Sequence, residues 1–402
     1  MKRKDNKTII FLLLAIMMMQ QLLAENPIIR HVRTADPSAH IWDDKGTLWI
    51  YTSGDPNDSC SDYSTMDGYR AFSTTDMVNY TDHGVILHSS NISWGVPGYM
   101  FAPTFAYKNG KYYCIYPHAY ENSYAKFNCG IAVSDVPQGP FTDIGILEGV
   151  TGEWIDPCVF SDTDGTMYLY WGIHQPKVAK LKDNMMELAE EPRVIEYGSD
   201  NFFEAIYMHK KDDIYYFSYN TGKGGYYAMG DNPYGPFDYI GAVNPAQEQD
   251  HHSMIEFKGQ WYFFYHVQNY NGGNGCMRNT CAEYLFYNTD GTLQEVYPSL
   301  EGVAQVDAPV VSFTSPTYNQ KFKAPANVMV DVNATDDKGV SKVLLYLNGQ
   351  LVGKKRKAPY TWGKGHSLLN GIATGNYTLK AVAVDKDGKI GERSISFSSY
   401  TD

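Results

Sequence analysis

The 402-residue sequence lacks the features that mark several large protein classes. The apolar run at residues 9–19 is too short to cross a bilayer as a helix, and no other stretch is long and apolar enough to do so. Lysine and arginine cluster only in the first seven residues and at residues 354–357, and the formal net charge is −12. Because nucleic-acid-binding proteins present extensive basic surfaces, we expect no nucleic-acid partner, and we expect no stable membrane insertion.

Cysteine is also scarce, and its spacing does not indicate a metal site. The six residues are Cys60, Cys114, Cys129, Cys158, Cys276 and Cys281. Cys276 and Cys281 have no second pair to complete a zinc-binding pattern. We therefore expect mostly buried thiols with one or two disulfides, whose connectivity the sequence leaves open.

The N-terminal 24 residues have the layout of a secretory signal peptide. Lys2, Arg3, Lys4 and Lys7 precede the apolar run at residues 9–19, which is too short for a transmembrane helix. A small residue, Ala24, follows at a plausible cleavage point. We expect export to the periplasm or the exterior, where disulfides can form.

Helical periodicity is almost absent, whereas one strand pattern recurs five times. A polar or small residue, a short strand, a charged turn and an aromatic strand begin at residues 36, 102, 156, 204 and 251. A second, weaker hairpin follows each copy. Repeats of about 40–50 residues with four strands are typical of propeller blades. With 33 tyrosines to favour strands, the pattern predicts an all-β protein with a five-bladed β-propeller at residues 25–306.

The sequence changes character after Val306. Residues 307–402 contain alternating strand patterns separated by glycine- and asparagine-containing turns. Short antiparallel strands at this spacing predict an immunoglobulin-like β-sandwich.

The residues at the start of each predicted blade suggest a chemistry. In a propeller the innermost strands surround the central channel, so their first residues converge at one end of it. These positions include Asp36, Asp156, Glu204 and His251. Glycoside hydrolysis requires one carboxylate base and one carboxylic acid on opposite sides of a sugar. A third carboxylate can raise the pKa of the acid, so we expect a glycosidase site.

Five segments together resemble glycoside hydrolase family 43. They are ADPS at 35–38, FAP at 101–103, IDPCVFSDTDGTMYLYWG at 155–172, FFEAIYMHKKDDIYYFSY at 202–219 and HHSMIEFKGQWYFFYH at 251–266. The resemblance implies an inverting enzyme acting on α-L-arabinofuranosides or β-D-xylosides in plant polysaccharide fragments, and we interpret the protein as an exo-glycosidase. In this resemblance Asp36 matches the general base, Glu204 the general acid, and Asp156 the residue that tunes and orients the acid.

The resemblance also suggests residues around the sugar. His251, or its neighbour His252, matches a histidine near the channel axis, and Arg278 matches an arginine near the sugar. No cofactor is implied as a requirement, although a structural calcium ion in the channel, with His251 as a candidate ligand, is an expectation of the family. Among the aromatic residues, Phe101, Trp154 and Trp171 are candidates for a platform on which the sugar stacks.

Two alternatives remain open from the sequence. The substrate could be a galactan or an arabinan, or the propeller could bind carbohydrate without cleaving it. An intact set of three carboxyl groups argues against the second alternative. If the enzyme inverts, the Asp36 and Glu204 carboxyl groups should lie roughly 6.5–9.5 Å apart.

Overall fold

The computed structural model describes residues 23–42, 46–60, 62–122, 126–150, 155–246, 251–304, 306, 308–363 and 365–401. Within these ranges the chain is nearly all β, and its helical parts are three short 3₁₀ turns at Tyr63–Thr65, Ser89–Asn91 and Tyr270–Gly272. No helix in the described part could cross a membrane. Most of the predicted signal peptide, residues 1–22, lies outside the described residues, and the strand β1 (Leu23–Ala24) pairs with residues 303–304.

The chain divides into two compact units, and the larger one comprises residues 26–75 and 80–298. Five antiparallel sheets build this unit. The first contains β2 (Arg33–His40), β3 (Leu48–Asp55), β4 (Gly68–Thr74) and β5 (Tyr80–His88); the second contains β6 (Thr104–Lys108), β7 (Lys111–Ala119), β8 (Phe127–Ser134) and β9 (Thr142–Ile146); the third contains β10 (Cys158–Ser161), β11 (Met167–Trp171), β12 (Lys177–Lys180) and β13 (Arg193–Val194). The fourth contains β14 (Glu204–Lys211), β15 (Ile214–Asn220), β16 (Gly225–Gly230) and β17 (Asp238–Asn244), and the fifth contains β18 (Ser253–Phe257), β19 (Gln260–Val267) and β20 (Asn279–Leu285). In every sheet the strands follow chain order, as in a propeller blade, so the five-bladed β-propeller is confirmed.

The prediction of four strands in every blade is wrong for the fifth. Residues 293–297 form no strand beside β20, and only an isolated bridge joins Tyr287 to Leu293. The segment before β2 and the first residues of β2 lie along β20 instead, where Ile28 N–H donates to Thr280 O (2.9 Å) and Thr34 N–H donates to Arg278 O (3.0 Å). The N-terminal segment thereby joins the first blade to the last.

The abundant aromatic residues fill the spaces between neighbouring blades. Each of four buried clusters contains side chains from two consecutive sheets. Tyr51 of the first blade and Phe105 of the second, for example, stack with ring centroids 3.8 Å apart. Large flat side chains on successive strands bury much apolar area per residue, which explains why strands of this composition pack as radial sheets.

One disulfide crosses the propeller ring. Cys60, between β3 and β4, is bonded to Cys276, which precedes β20. The other four cysteines are buried free thiols at positions 114, 129, 158 and 281. Both results confirm the expectation of one or two bridges among mostly buried cysteines.

The smaller unit contains the chain from residue 299 onward and two short segments from earlier in the sequence. Its remaining strands are β21 (Val303–Ala304), β22 (Val310–Ser315), β23 (Gln320–Lys323), β24 (Val330–Thr335), β25 (Val340–Leu347), β26 (Gln350–Lys355), β27 (Tyr360–Trp362), β28 (Gly375–Asp385) and β29 (Ile390–Tyr400). They form a three-stranded sheet, β22-β24-β27, and a five-stranded sheet, β23-β29-β28-β25-β26. A single apolar core with side chains from both sheets includes Val330, Leu345 and Trp362. This two-sheet packing confirms the predicted immunoglobulin-like sandwich.

Candidate active site

Three residues at or beside the predicted blade starts share an unusual backbone conformation. Asp36 has a φ of 53°, Asp156 a φ of 52° and Ala205, next to Glu204, a φ of 59°. In β2, Ala35 pairs with Ser53 and Ser38 pairs with Tyr51, so one extra residue bulges from the strand. The same irregularity separates Glu204 from Tyr207 in β14. A positive φ at a non-glycine residue costs energy, and a bulge changes the direction of a side chain. Both features recur here at the predicted blade starts.

Asp36 is buried and surrounded by groups that stabilise its ionised form. The Ser53 hydroxyl donates to Oδ2 (2.5 Å), and Arg278 Nη1 donates to Oδ1 (2.9 Å). His266 Nδ1 lies 3.4 Å from Oδ1. Burial alone would raise the pKa of Asp36, but Arg278, the two nearby histidines and Ser53 outweigh it and lower the pKa to about 2.

Arg278 is held by a second buried acid that the sequence did not point to. Its Nε and Nη2 donate to Asp55 Oδ2 and Oδ1 (2.8 and 2.9 Å), and its backbone N–H also donates to Asp55 Oδ2 (2.8 Å). The guanidinium therefore bridges Asp55 at the end of β3 and Asp36 at the bulge within β2. This geometry makes Arg278 a fixed counter-ion for Asp36, because a bidentate arginine pair is rigid and its charge does not titrate.

Asp156 and Glu204 occupy the next two blade starts and interact electrostatically. Asp156 is buried, and the Ala205 N–H donates to its Oδ2 (3.0 Å). Burial, followed by the charges of Glu204 and Asp36, raises the pKa of Asp156 well above its usual range. Burial and the charge of Asp36, opposed by Arg278, raise the pKa of Glu204 to about 7. Because both groups resist ionisation, the pair retains at least one proton near neutral pH.

The two adjacent histidines have different environments. His251 Nδ1 lies 3.9 Å from both Asp36 Oδ1 and Asp156 Oδ2. His252 instead accepts or donates a hydrogen bond at Ser218 Oγ (2.8 Å) and stacks on Phe263, with centroids 5.0 Å apart. His251 is therefore the member of the doublet that lies with the acids.

The three aromatic candidates for the sugar platform differ in their surroundings. Phe101 is partly exposed and packs against Tyr63 and Phe127, with centroids 5.5 and 4.9 Å away. Trp171 has no exposed surface and lies in the apolar core between the second and third blades, so its prediction as a sugar platform is wrong. Trp154 lies outside the described residues.

Three residues of this cluster have no counterpart among the predicted site residues. Asp55 and Ser53 stand at the end of β3, and His266 stands near the end of β19. Each is on a strand next to an inner strand, at the level where the blade starts converge. Their positions depend on which residues face each other across neighbouring strands, such as Ala35 and Ser53. A single sequence does not give this strand register.

A cavity of about 560 Å³ continues from this cluster along the inner strands. Its lining includes Ser38, Thr104, Val159 and Met208, which follow the blade starts, together with His251. Asp36, Asp156 and Glu204 do not line it. The cavity is thus the lumen of the propeller and not the surface on which those three acids face a substrate.

The described residues contain no cluster of three acidic, histidine or cysteine ligands for the calcium ion suggested by the family resemblance. Next to Asp36, the counter-charge is supplied by Arg278. Calcium binding stays a prediction.

Comparison with known proteins gives the same assignment along most of the chain. A profile of "Glycosyl hydrolases family 43" matches residues 24–293, and one of "Bacterial Ig domain" matches residues 309–381. A "Xylosidase/arabinosidase 43A" of Humicola insolens is 37% identical over 66% of this chain and 98% of its own length. A "Xylosidase/arabinosidase" of Bacteroides ovatus is 35% identical over 64% of this chain and 93% of its own.

A solved structure resembles the same region. It is CoXyl43, a β-xylosidase/α-arabinofuranosidase from a compost microbial metagenome, in complex with xylotriose and free of calcium. The TM-score is 0.63, with 34% identity over 69% of this chain and 98% of that chain. The family profile covers more than half of the sequence. The five blades and the cluster of Asp36, Asp156 and Glu204 agree with this match. The chain is a glycoside hydrolase and belongs to glycosyl hydrolase family 43.

Proposed function

We propose that the protein is an inverting exo-glycosidase that removes α-L-arabinofuranosyl or β-D-xylosyl units from plant polysaccharide fragments. The observation that carries this proposal is the opposed protonation of two acids in one cluster, because the pKa of Asp36 is about 2 and that of Glu204 is about 7. Inversion needs an ionised base and a protonated acid at the same pH. The names of the two relatives and of CoXyl43 support the choice of sugars.

Asp36 acts as the general base in this proposal. Its carboxylate takes a proton from a water molecule while the water attacks the anomeric carbon. Arg278 and Ser53 donate to the carboxylate and hold one orientation of it, and Arg278 with the two nearby histidines keeps it ionised. The cost is a less basic group, which orientation in a buried site offsets.

Glu204 acts as the general acid, and Asp156 tunes it. Glu204 is partly exposed at the start of β14, so a leaving-group oxygen can reach it. Its proton passes to that oxygen as the glycosidic bond breaks. A negative charge on Asp156 would favour the protonated form of Glu204, and the Ala205 N–H fixes the Asp156 carboxyl group.

The sugar would lie over the acid cluster, with His251 and Phe101 as its nearest predicted contacts and Arg278 beneath Asp36. With the predicted signal peptide, we expect this activity in the periplasm or outside the cell. Trp154 stays a predicted sugar contact.

Substrates with different leaving groups distinguish the general acid from the general base. In Glu204→Gln, hydrolysis of a β-1,4-linked xylobiose should fall by roughly 10²–10⁴-fold, the usual contribution of a general acid. Hydrolysis of 4-nitrophenyl xyloside or arabinofuranoside should fall much less, because nitrophenolate departs without protonation. In Asp36→Asn, both substrates should be affected severely. Initial rates on the two substrate types would measure this.

The stereochemistry of the product provides an independent test. Proton NMR during the first minutes of hydrolysis should show the α-anomer of xylose released from a β-xyloside. Release of the β-anomer would rule out inversion. Equal losses on both substrate types in Glu204→Gln, or no cleavage of any tested glycoside, would overturn the catalytic assignment.

A further inference from the structure

Charge is distributed unevenly along the chain. Residues 307–402 contain 13 lysines and arginines against 8 aspartates and glutamates, a formal charge of +5. Since the whole chain carries −12, residues 1–306 carry −17. The catalytic propeller therefore repels acidic polymers over distances comparable to the Debye length, whereas the sandwich attracts them.

Much of this positive charge lies on one border of the sandwich. Lys354, Lys355, Arg356 and Lys357 form a continuous run at the end of β26 and in the following turn, and we call these four residues the basic edge. In the five-stranded sheet β26 pairs with β25 and is the outermost strand. Lys354, Arg356 and Lys357 are exposed, and the Lys355 ammonium lies 5.6 Å from the centroid of the Trp362 ring.

The basic edge differs from other cations of the same sandwich. Lys338 pairs with Asp387 (2.8 Å), and Lys380 pairs with Glu392 (2.5 Å). The four residues of the basic edge form no ion pair with an acidic side chain among the described residues. Four adjacent like charges repel one another, and an external anion would relieve that repulsion.

We propose that the basic edge binds a carboxylated polysaccharide, that is, a chain carrying uronic acid residues. Lys354 near the end of β26, with Arg356 and Lys357 in the turn that follows, places three exposed cations within four successive residues, a charge density suited to a polyanion. Three of the four cations are lysines, which act as point charges and suit carboxylates spaced along a flexible chain. Such a contact would hold the acidic propeller near charged regions of a plant polysaccharide.

The same features disfavour two other polyanions. Single-stranded nucleic acid binding relies on aromatic side chains that stack on bases, and Trp362 beside the basic edge is buried. A peripheral membrane contact needs apolar side chains next to the cations, and of the residues in β26 only Leu351 offers a large exposed apolar surface. Lysines also protect edge strands from pairing with other chains. If that were their only role, removing them should cause self-association without weakening binding to the polymer.

The experiment measures binding of the full-length protein to polygalacturonate by affinity electrophoresis and calorimetry. Highly methyl-esterified polygalacturonate is the matched probe, because it has the same backbone without the charges. The variant Arg356→Gln/Lys357→Gln removes two charges from the basic edge. Its control is Lys321→Gln/Lys386→Gln, which removes two exposed charges elsewhere in the sandwich, with Lys321 on the opposite border strand β23.

We expect binding to polygalacturonate that weakens with added salt and is absent with the esterified polymer. The basic-edge variant should bind roughly tenfold more weakly, whereas the control variant should bind within about twofold of the wild type. Activity on 4-nitrophenyl glycosides should be unchanged in both variants, so a failure of this proposal is separate from a failure of the proposed function.

Several outcomes would overturn the proposal. Equal affinity for the esterified polymer would show that charge does not drive binding. Equal losses of affinity for polygalacturonate in both variants would show that the basic edge is not the binding site. Tighter binding to duplex DNA or to phosphatidylglycerol vesicles at equal charge concentration would assign another partner. If the basic-edge variant keeps its affinity but self-associates on size-exclusion chromatography, the lysines only guard the strand edge.

Discussion

The carboxyl groups of this site differ in protonation although they lie within one cluster. Asp36 has an arginine, two histidines and a hydroxyl around it, whereas Glu204 has burial and a neighbouring negative charge. One environment favours the charged form and the other the neutral form. Local solvation and counter-charge, rather than residue type, therefore determine which acid donates a proton and which accepts one.

The pH dependence of activity follows from these two values. Glu204 is protonated below about pH 7, so kcat/KM should fall as the pH rises through about 7. Asp36 stays ionised down to about pH 2, so no loss from the base is expected in the mildly acidic range. Ionising Glu204 in its folded environment is unfavourable, and stability should also decline as the pH rises through that value. A pH–rate profile on xylobiose measures this alkaline limb, that is, the fall in kcat/KM above about pH 7.

Asp156→Asn provides the comparison for that profile. Because the pKa of Asp156 lies well above its usual range, this substitution replaces a protonated group, so the alkaline limb should stay near pH 7 while the maximum rate falls as the hydrogen bond from the Ala205 N–H weakens. A limb that moves to lower pH would show that Asp156 carries a negative charge in the active form. A rate that rises above pH 7 would contradict the assignment of Glu204 as the acid.

Asp55 should matter for both stability and rate, although we place it out of contact with the sugar. In Asp55→Asn the buried Arg278 loses one of its two charged partners. Breaking a buried ion pair costs about 3–5 kcal/mol, so unfolding in urea should occur at a lower denaturant concentration. Asp183→Asn, which breaks the exposed pair with Lys108 (3.4 Å), should change stability by less than about 1 kcal/mol.

A different pattern would change the account of Asp55. If Asp55→Asn were as stable as the control, Arg278 would be compensated by another group. A normal kcat in a destabilised Asp55→Asn protein would mean that Arg278 does not position Asp36 for catalysis.

At the residue scale, the sequence predicted the groups that stand first in their repeats. Asp36, Asp156, Glu204 and His251 share a position in a periodic pattern, and periodicity is visible in one sequence. Asp55, Ser53 and His266 depend on pairing between strands, which has no local signal. Trp171 was mispredicted because the same aromatic composition serves sugar stacking and the contacts between blades.

At the scale of elements, local patterns again predicted more than long-range pairing did. Each hairpin follows from its own turn and strand residues, so four blades matched expectation. The fifth differed because the segment at residues 26–34, distant in sequence, lies along β20. A segment of this kind joins the two ends of the propeller and cannot be recognised from the residues around β20.

The disulfide is a second long-range link between the first and fifth blades, so its removal should destabilise the propeller. Cys60 and Cys276 are 216 residues apart, and crosslinks typically contribute about 2–4 kcal/mol. Reducing agent should lower the urea midpoint of the wild type. The variant Cys60→Ser/Cys276→Ser should have that lower midpoint with or without reducing agent.

Activity should respond as well, because Arg278 follows Cys276 by two residues. We expect a raised KM on xylobiose in the serine variant. A wild-type midpoint that is insensitive to reducing agent would contradict the role given to this bridge. A reducing-agent effect that persists in the serine variant would point to the buried thiols instead.

At the scale of the whole molecule, the two units have separate cores and opposite charge. Among the described residues, the sandwich core contains side chains only from residues 311 to 397, and the four blade clusters contain none of them. A domain with its own apolar core can unfold on its own. The change in strand pattern after Val306 allowed this division to be anticipated, since composition and turn chemistry are local properties.

A pair of matched core substitutions tests this independence. Leu345 of the sandwich and Leu169 of the third blade are both fully buried, and replacing either with alanine should cost about 2–5 kcal/mol. In calorimetry, Leu345→Ala should shift only the transition of the sandwich, while the temperature at which xylosidase activity is lost stays unchanged. Leu169→Ala should lower that inactivation temperature. If both variants lost activity at the same reduced temperature, the sandwich would be part of the cooperative unit that holds Asp36, Asp156 and Glu204 in place.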